Sequence, residues 1–322
     1  MNYDVRRFSG EPAGAMSRSK KRREAPHAAY PLQRLMNRGA GAGIALVLGL
    51  AGCAPRPDAS PEGVRVVSLA PSVTEIVFAI GAGDLLVGRT DACDYPPEAE
   101  RVPVVGSFGR PSMERVLTSG ATLVLDIDLE DATARAEFRR RGLAAERITC
   151  DRLDDIPSAI RDIGRRTGRG PAANALADRI ASDLADRRAR AARHAESDRP
   201  RVFVELWPDP LMTVGRRSFV SDLLELAGGQ NIAGSEARDY FTVDPEWVVA
   251  RDPQVMLLLH ASSEAIARRA VSGRTGWGGM EAVRTGRILA GFDPAIMHRP
   301  GPRVIEGVDV LHRALFGGED GR

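Results

Sequence analysis

An α/β fold of two doubly wound lobes, joined by a single long α-helix, is what this sequence predicts, on three observations. Short apolar runs alternate with helical segments on both sides of residue 171. Residues 171–197 form one uninterrupted helical pattern, with Pro171 early and Pro200 just beyond its end. One local motif is written twice, once in each half. Its first copy is Pro111-Ser112-Met113-Glu114-Arg115-Val116-Leu117, and the apolar run Leu123-Val124-Leu125 begins nine residues after the glutamate. Its second is Val243-Asp244-Pro245-Glu246-Trp247-Val248-Val249, again nine residues ahead of Val255-Met256-Leu257-Leu258-Leu259. In each, a polar cap residue followed by Met or Pro starts a short helix, and the helix dipole favours a glutamate in the first turn. One copy carries little weight. Two at equal spacing predict similar lobes that present matching acidic side chains.

The elements follow in order. Residues 65–69 read as a strand, and Ser72-Val73-Thr74-Glu75 caps a helix that runs to Ala79 and is closed by Gly81. Strands over 85–88, 102–105, 123–127 and 145–149 continue the first lobe, with a helix over 132–141 stopped by Gly142. Short apolar strands separated by helices predict parallel pairing with both sheet faces covered. In the long helix, Leu176, Ile180 and Leu184 form a ladder on one face. Asp183 and Asp186 stand within pairing reach of Arg187 and Arg190, and the expected length is roughly 40 Å at 1.5 Å per residue. The theme then restarts with a strand over 201–206, a helix over 220–227 ending at Gly228-Gly229, and a strand over 255–259. A loop with Gly276-Trp277-Gly278-Gly279, a strand over 287–290 and a closing helix over 302–315 complete it. The expected boundaries are a lobe at 64–170, the helix at 171–198 and a lobe at 199–317.

Residues 1–52 are set apart as an N-terminal extension and signal peptide. The small, apolar run 39–52, centred on Ile44-Ala45-Leu46-Val47-Leu48, is shorter than the ~20 residues a spanning helix needs. It suits a signal core preceded by Arg34 and Arg38. It ends in Leu50-Ala51-Gly52-Cys53, which resembles the lipobox of bacterial lipoproteins and implies cleavage before Cys53 and a diacylglycerol on its sulfur. Residues 1–35 are polar and basic, and Met1, Met16 and Met36 are alternative starts. Residues 53–63 read as a flexible tether.

Composition narrows the function. The chain carries 45 basic and 43 acidic residues, a balance that sets up no general field for polyanions, so nucleic acid is not an expected partner. Lys20 and Lys21 are the only lysines, which fits a GC-rich genome. Beyond Cys53, only Cys93 and Cys150 remain, an even pair that suits either a disulfide in an oxidising compartment or two separate buried thiols. Gly106-Ser107-Phe108-Gly109 has the wrong spacing for a nucleophile elbow. Gly81-Ala82-Gly83 closes a helix instead of opening one on a phosphate. His194, His260, His298 and His312 are scattered and lack close metal-ligand spacing. Neither catalysis nor a metal centre is expected; an exported enzyme on the same scaffold is a remote alternative.

Five segments then act together: Ser68-Leu69-Ala70-Pro71-Ser72-Val73-Thr74-Glu75, Asp94-Tyr95-Pro96-Pro97, Met113-Glu114-Arg115, Leu224-Glu225-Leu226-Ala227-Gly228-Gly229-Gln230-Asn231-Ile232, and Pro302-Arg303. As a set they resemble the cobalamin-binding branch of the periplasmic substrate-binding proteins, which serve ABC importers of cobalamin, haem and ferric siderophores. The resemblance spans most of residues 64–315. It implies two α/β lobes on one long helix with the ligand clamped between them, cobalamin as transported ligand and no resident cofactor. It also implies an ABC permease dimer, with its ATPase subunits, as the partner of a monomeric binding protein. One glutamate per lobe, here Glu114 and Glu246, would pair with arginines of the two permease subunits. Location would be periplasmic or at the cell surface, with Cys53 as the anchor.

In a doubly wound lobe, ligands meet the carboxyl ends of the strands. The residues expected there are Pro71, Ser72, Tyr95, Phe108 and Arg110 in the first lobe, and Trp207, Tyr240, Phe241, Asp293 and Arg299 in the second. Five aromatics in a chain that is 5% aromatic favour a flat, apolar ligand. By the resemblance, Phe108 and Tyr240 match aromatic contacts, and Arg299 matches a polar contact in the last cleft loop. Ala92 and Ile127 stand where the best-known cobalamin binder has further aromatics. Ala295 replaces an acidic residue four positions before Arg299, for which Asp293 is the substitute. Haem or a ferric siderophore is the alternative ligand; for haem, Tyr95, Tyr240, His260 or His298 would be the iron ligand.

Overall fold

The computed structural model describes residues 63–127 and 132–317. The signal and lipobox readings, Cys53 and most of the tether lie outside the described residues. The first half contains β1 (Val66–Ser68), α1 (Pro71–Ala79), β2 (Leu86–Thr90), β3 (Val104–Ser107), β4 (Arg110–Pro111), α2 (Met113–Thr118), β5 (Leu123–Asp126), α3 (Ala132–Arg140) and β6 (Ala144–Arg147). Two helices follow, α4 (Ile156–Thr167) and α5 (Gly170–Ala191). The second half begins with β7 (Arg201–Glu205), β8 (Trp207–Pro208), β9 (Leu211–Val214), α6 (Phe219–Leu226), β10 (Gln230–Asn231) and β11 (Tyr240–Thr242). It ends with α7 (Pro245–Arg251), β12 (Val255–Leu258), α8 (Glu264–Ser272), α9 (Glu281–Arg284), β13 (Ile288–Ala290), α10 (Pro294–His298) and α11 (Val304–Phe316).

Each half builds its own sheet. The first is six-stranded in the order β4-β3-β2-β1-β5-β6, parallel except at the β4 edge. The second has the order β10-β7-β12-β13, all parallel. The inner order is the same in both: β2-β1-β5-β6 corresponds to β10-β7-β12-β13. Register carries the correspondence to single residues. Val66 pairs with Leu123, and Val202 with Val255; Glu114 and Glu246 precede those partners by nine residues each. The two glutamates therefore hold equivalent places in two equivalent lobes. Ser112 caps α2 by accepting from the Arg115 N–H at 3.4 Å, whereas Asp244 stands at the α7 cap position without a side-chain bond.

The linking helix departs from expectation. It spans 22 residues, about 33 Å, and ends at Ala191, short of residue 198. The Arg199 guanidinium donates to the Ala191 carbonyl at 3.0 Å, so a tertiary contact satisfies one of the last-turn acceptors that a further turn would have used. Nor is it a bare strut. Helix α4 lies against it so closely that a Cβ at Gly164 would fall 2.2 Å from that of Ala173. Leu176, Ile180 and Leu184 are all buried as the ladder predicts, in a core continuous with both lobes. Arg187 keeps a 3.6 Å contact with Asp183, but Arg187 and Arg190 both make shorter bonds to Asp309 of α11, at 2.8 and 2.9 Å.

Two further differences follow from chemistry that strand and helix periodicity does not report. The polar segment 72–75 does not cap α1: the cap position is Ala70, with Pro71 in the first turn. An antiparallel sheet of β11-β9-β8 was not expected. Trp207 on β8 and Tyr240 and Phe241 on β11 are thereby held on one antiparallel sheet.

Candidate functional site

The carboxyl ends of the parallel strands in both lobes carry a set of half-buried apolar side chains. Phe108 follows β3 and Ile127 follows β5; Trp207 follows β7 and Phe292 follows β13. Tyr240 on β11 and Ile296 on α10 join them, and all six pack against the one core that spans the two lobes. Phe241 does not. Adjacent strand residues point to opposite faces, so with Tyr240 turned to this core, Phe241 is turned to Trp247 of α7, edge-on at 6.2 Å. Its ring contact is therefore with α7 and not with the core shared by the other six. Arg110 is exposed on the β4 edge beside Phe108.

The remaining predicted residues meet around a carboxylate that was not expected to matter. Glu75 of α1 is 3% exposed and accepts from Arg303 at 2.8 and 3.0 Å and from Arg299 at 3.4 Å. Arg299 also donates to Asp94 at 2.6 Å and to the Ala92 carbonyl at 3.3 Å. Arg303 lies over the Tyr95 ring, 3.8 Å from its centroid, while Tyr95 remains 41% exposed. Pro71 and Ser72 are buried at this junction, with the Gly301 backbone against Ser72. Asp293 is exposed and caps α10 by accepting from the Ala295 N–H at 2.8 Å. The signal missed in the sequence is a lone charge inside the apolar stretch of α1, because a buried carboxylate is stable only when paired.

A second such carboxylate, Glu205, closes β7 and is fully buried. It accepts from both terminal nitrogens of Arg274, at 2.5 and 2.7 Å, and is 2.8 Å from His260 Nε2. Burial raises the Glu205 carboxyl, but the bonds from Arg274 and His260 outweigh it and hold the group below the usual carboxylate range. His260 meets the Trp207 indole edge-on at 6.3 Å, so this network supports one wall of the cleft. The expected iron ligands thus have other engagements. His260 is bonded to Glu205, and Tyr95 is stacked on Arg303. Burial, helped by Asp239 and Asp151, pushes the Tyr240 phenol up to about 12, so it stays protonated at neutral pH. Asp151 belongs to the first lobe, so its field on Tyr240 acts between the lobes.

Burial pushes His298 down from 6.5 to about 4. The unfolded chain therefore binds the extra proton first, and stability present above pH 6.5 is lost as pH falls toward 4. Replacing His298 with Gln should flatten the urea-unfolding difference between pH 7 and pH 4 by up to about 3 kcal/mol. An unchanged slope would mean that the fold does not shield the imidazole from water.

The cysteine pair resolves as two buried thiols, not a disulfide. Cys93 Sγ is 3.1 Å from Thr90 Oγ1, and Cys150 Sγ donates to the Pro300 carbonyl at 3.1 Å. Each sulfur has a local partner of its own. Among the described residues no group of three or more His, Cys, Asp or Glu is placed to hold a metal, and no helix is long and apolar enough to cross a membrane.

Comparison with known proteins gives this geometry its context. The family model described as periplasmic binding protein matches residues 66–293. The chain belongs to this family. Periplasmic binding proteins of this kind bind substrates and are not enzymes. A curated relative, the uncharacterized ABC transporter substrate-binding lipoprotein YvrC of Bacillus subtilis (strain 168), is 29% identical over 260 residues, covering 79% of this chain and 81% of its own. Among solved structures, the periplasmic vitamin B12 binding protein of Vibrio cholerae superposes with a TM-score of 0.65 at 25% identity, over 78% of this chain and 96% of its own. The apo periplasmic heme-binding protein of Roseiflexus sp. RS-1 superposes at 0.70 and 27% identity, over 79% and 98%. The fold is thus that of a periplasmic binding protein, and Glu114 and Glu246 are exposed on it without an ion pair among the described residues.

Proposed function

We propose that this periplasmic binding protein is the substrate-binding component of an ABC importer. It captures a corrinoid, with cobalamin as the cargo, in the cleft between its lobes and delivers it to a permease dimer coupled to ATPase subunits. The observation that supports the cargo is the wall of Phe108, Ile127, Trp207, Tyr240, Phe292 and Ile296, half-buried at the carboxyl ends of both sheets. Such a wall suits a broad, flat ligand with an apolar face. The likeness to a vitamin B12 binding protein points the same way. No resident cofactor is needed, because the macrocycle is cargo. Haem is the second reading, favoured by the likeness to a heme-binding protein and by the neutral, half-buried His298 imidazole.

Titration with cyanocobalamin and with haemin separates the readings. Cobalamin should raise the melting temperature in a concentration-dependent way and quench Trp207 fluorescence. A shift with haemin alone would transfer the assignment to haem. For location, Cys53 is proposed as the lipid anchor, in line with the lipoprotein named in Bacillus subtilis. Cys53→Ser should move the protein from the membrane to the soluble fraction, and retention in the membrane would overturn the anchor.

A further inference from the structure

Every partner of Glu75 among the described side chains comes from the other lobe. Glu75 sits on α1, while Arg303 and Arg299 flank the segment 299–303 that leads into α11. Arg303 grips it with two bonds, at 3.0 and 2.8 Å, and Arg299 adds a contact at 3.4 Å. The same two arginines hold the loop after β2: Arg299 takes Asp94 and the Ala92 carbonyl, and Arg303 covers one face of Tyr95. Arg303 is also 3.9 Å from Asp293. Between the arginines, the Pro300 carbonyl accepts from Cys150. A Cβ at Gly301 would sit 3.6 Å from a Glu75 oxygen and 3.8 Å from Ser72 Cα. The whole segment is seated on the first lobe.

We propose that Glu75 is the positioning residue of the ligand cleft. Through Arg299 and Arg303 it sets the angle between the lobes, and it holds Tyr95 with one ring face on a guanidinium and the exposed remainder available to a flat ligand. A carboxylate 3% exposed cannot be left unpaired without a large desolvation cost. Both partners belong to the opposite lobe, so that cost opposes any lobe movement that draws them away. It also reassigns Arg299: with Glu75, Asp94 and Ala92 around it and its side chain 16% exposed, its charge serves the junction and not the cargo. What Tyr95 meets rests on the proposed function; the junction itself does not.

The test separates these two parts. Spin labels at Thr118→Cys and Ala250→Cys, both exposed on the two glutamate helices, report the inter-lobe distance distribution by pulsed electron paramagnetic resonance, in a Cys53→Ser background. Glu75→Gln and Arg303→Met should each broaden that distribution at least twofold while far-ultraviolet circular dichroism stays native. The double variant should add little, because both changes remove the same bonds. Arg303→Lys, which keeps the charge but not the fork, should give an intermediate width. The dissociation constant for cyanocobalamin should rise at least tenfold in the two single variants. An unchanged width in the folded variants, or fully additive broadening in the double variant, overturns the proposal. If Glu75→Gln does not fold, Arg303→Met decides alone, because it leaves Glu75 paired with Arg299. If the widths respond but the unsubstituted protein binds neither cyanocobalamin nor haemin, the cargo reading fails and the positioning role stands.

Discussion

Reversing both exposed glutamates, Glu114→Arg with Glu246→Arg, is expected to lower importer-dependent ligand uptake at least tenfold while ligand affinity stays within about twofold. The two side chains occupy equivalent register positions in two equivalent sheets, so a partner with twofold symmetry meets the same chemistry twice. An exposed ion pair contributes under ~1 kcal/mol, so deletion to Ala should be mild at each single site. Reversal is more severe, because like charges facing each other across an interface cost several kcal/mol. Each glutamate is exposed on a short helix and is not one of the side chains that make up the cleft wall, which is why binding should survive. Uptake at the unsubstituted level in the double reversal would remove the docking role, and a parallel loss of ligand affinity would place the effect in the cleft instead.

The second large effect is expected at Glu205. Its carboxylate is fully buried between Arg274 and His260, so Glu205→Ala strands a guanidinium with no acceptor. Removing one partner of a buried pair costs roughly 3–5 kcal/mol, which in a chain of this size lowers the melting temperature by roughly 5–10 °C. Glu205→Leu combined with Arg274→Leu should be milder than Glu205→Ala, since it leaves no charge unpaired. Acid acts in the same direction. The folded-state carboxyl titrates below its unfolded value, so the stability it contributes is present above that value and is lost as pH falls through the folded one. Thermal melts of the three proteins check both points, and a double variant less stable than the single one would contradict this account.

Much of the architecture was readable because it depends on local rules. Period-two and period-3.6 apolar patterns locate the central strands and the Leu176–Ile180–Leu184 face. The nine-residue spacing after Glu114 and Glu246 survives as strand register. Helix α4 was missed: its apolar side chains pack against α5 and the first lobe, and its Pro157 and Gly164 weaken the pattern. The strand ends were legible in part. Phe108, Trp207 and Tyr240 lie where strand-end logic puts them, packed on the shared core, while Phe241 turns to Trp247 on the other face of β11.

By itself, the sequence determined the α/β class, the duplication, the long linking helix and the strand ends where a ligand would meet the protein. Each of these follows from the order of apolar and polar residues within a short stretch of chain. Tertiary structure alone decided where the helix stops, that Cys93 and Cys150 stay apart, and that Glu75 and Glu205 are paired. Those outcomes depend on groups as far apart as Glu75 and Arg303, brought together only when two lobes close on a shared core. A buried charge announces that a partner is needed, and the fold chooses which residue supplies it.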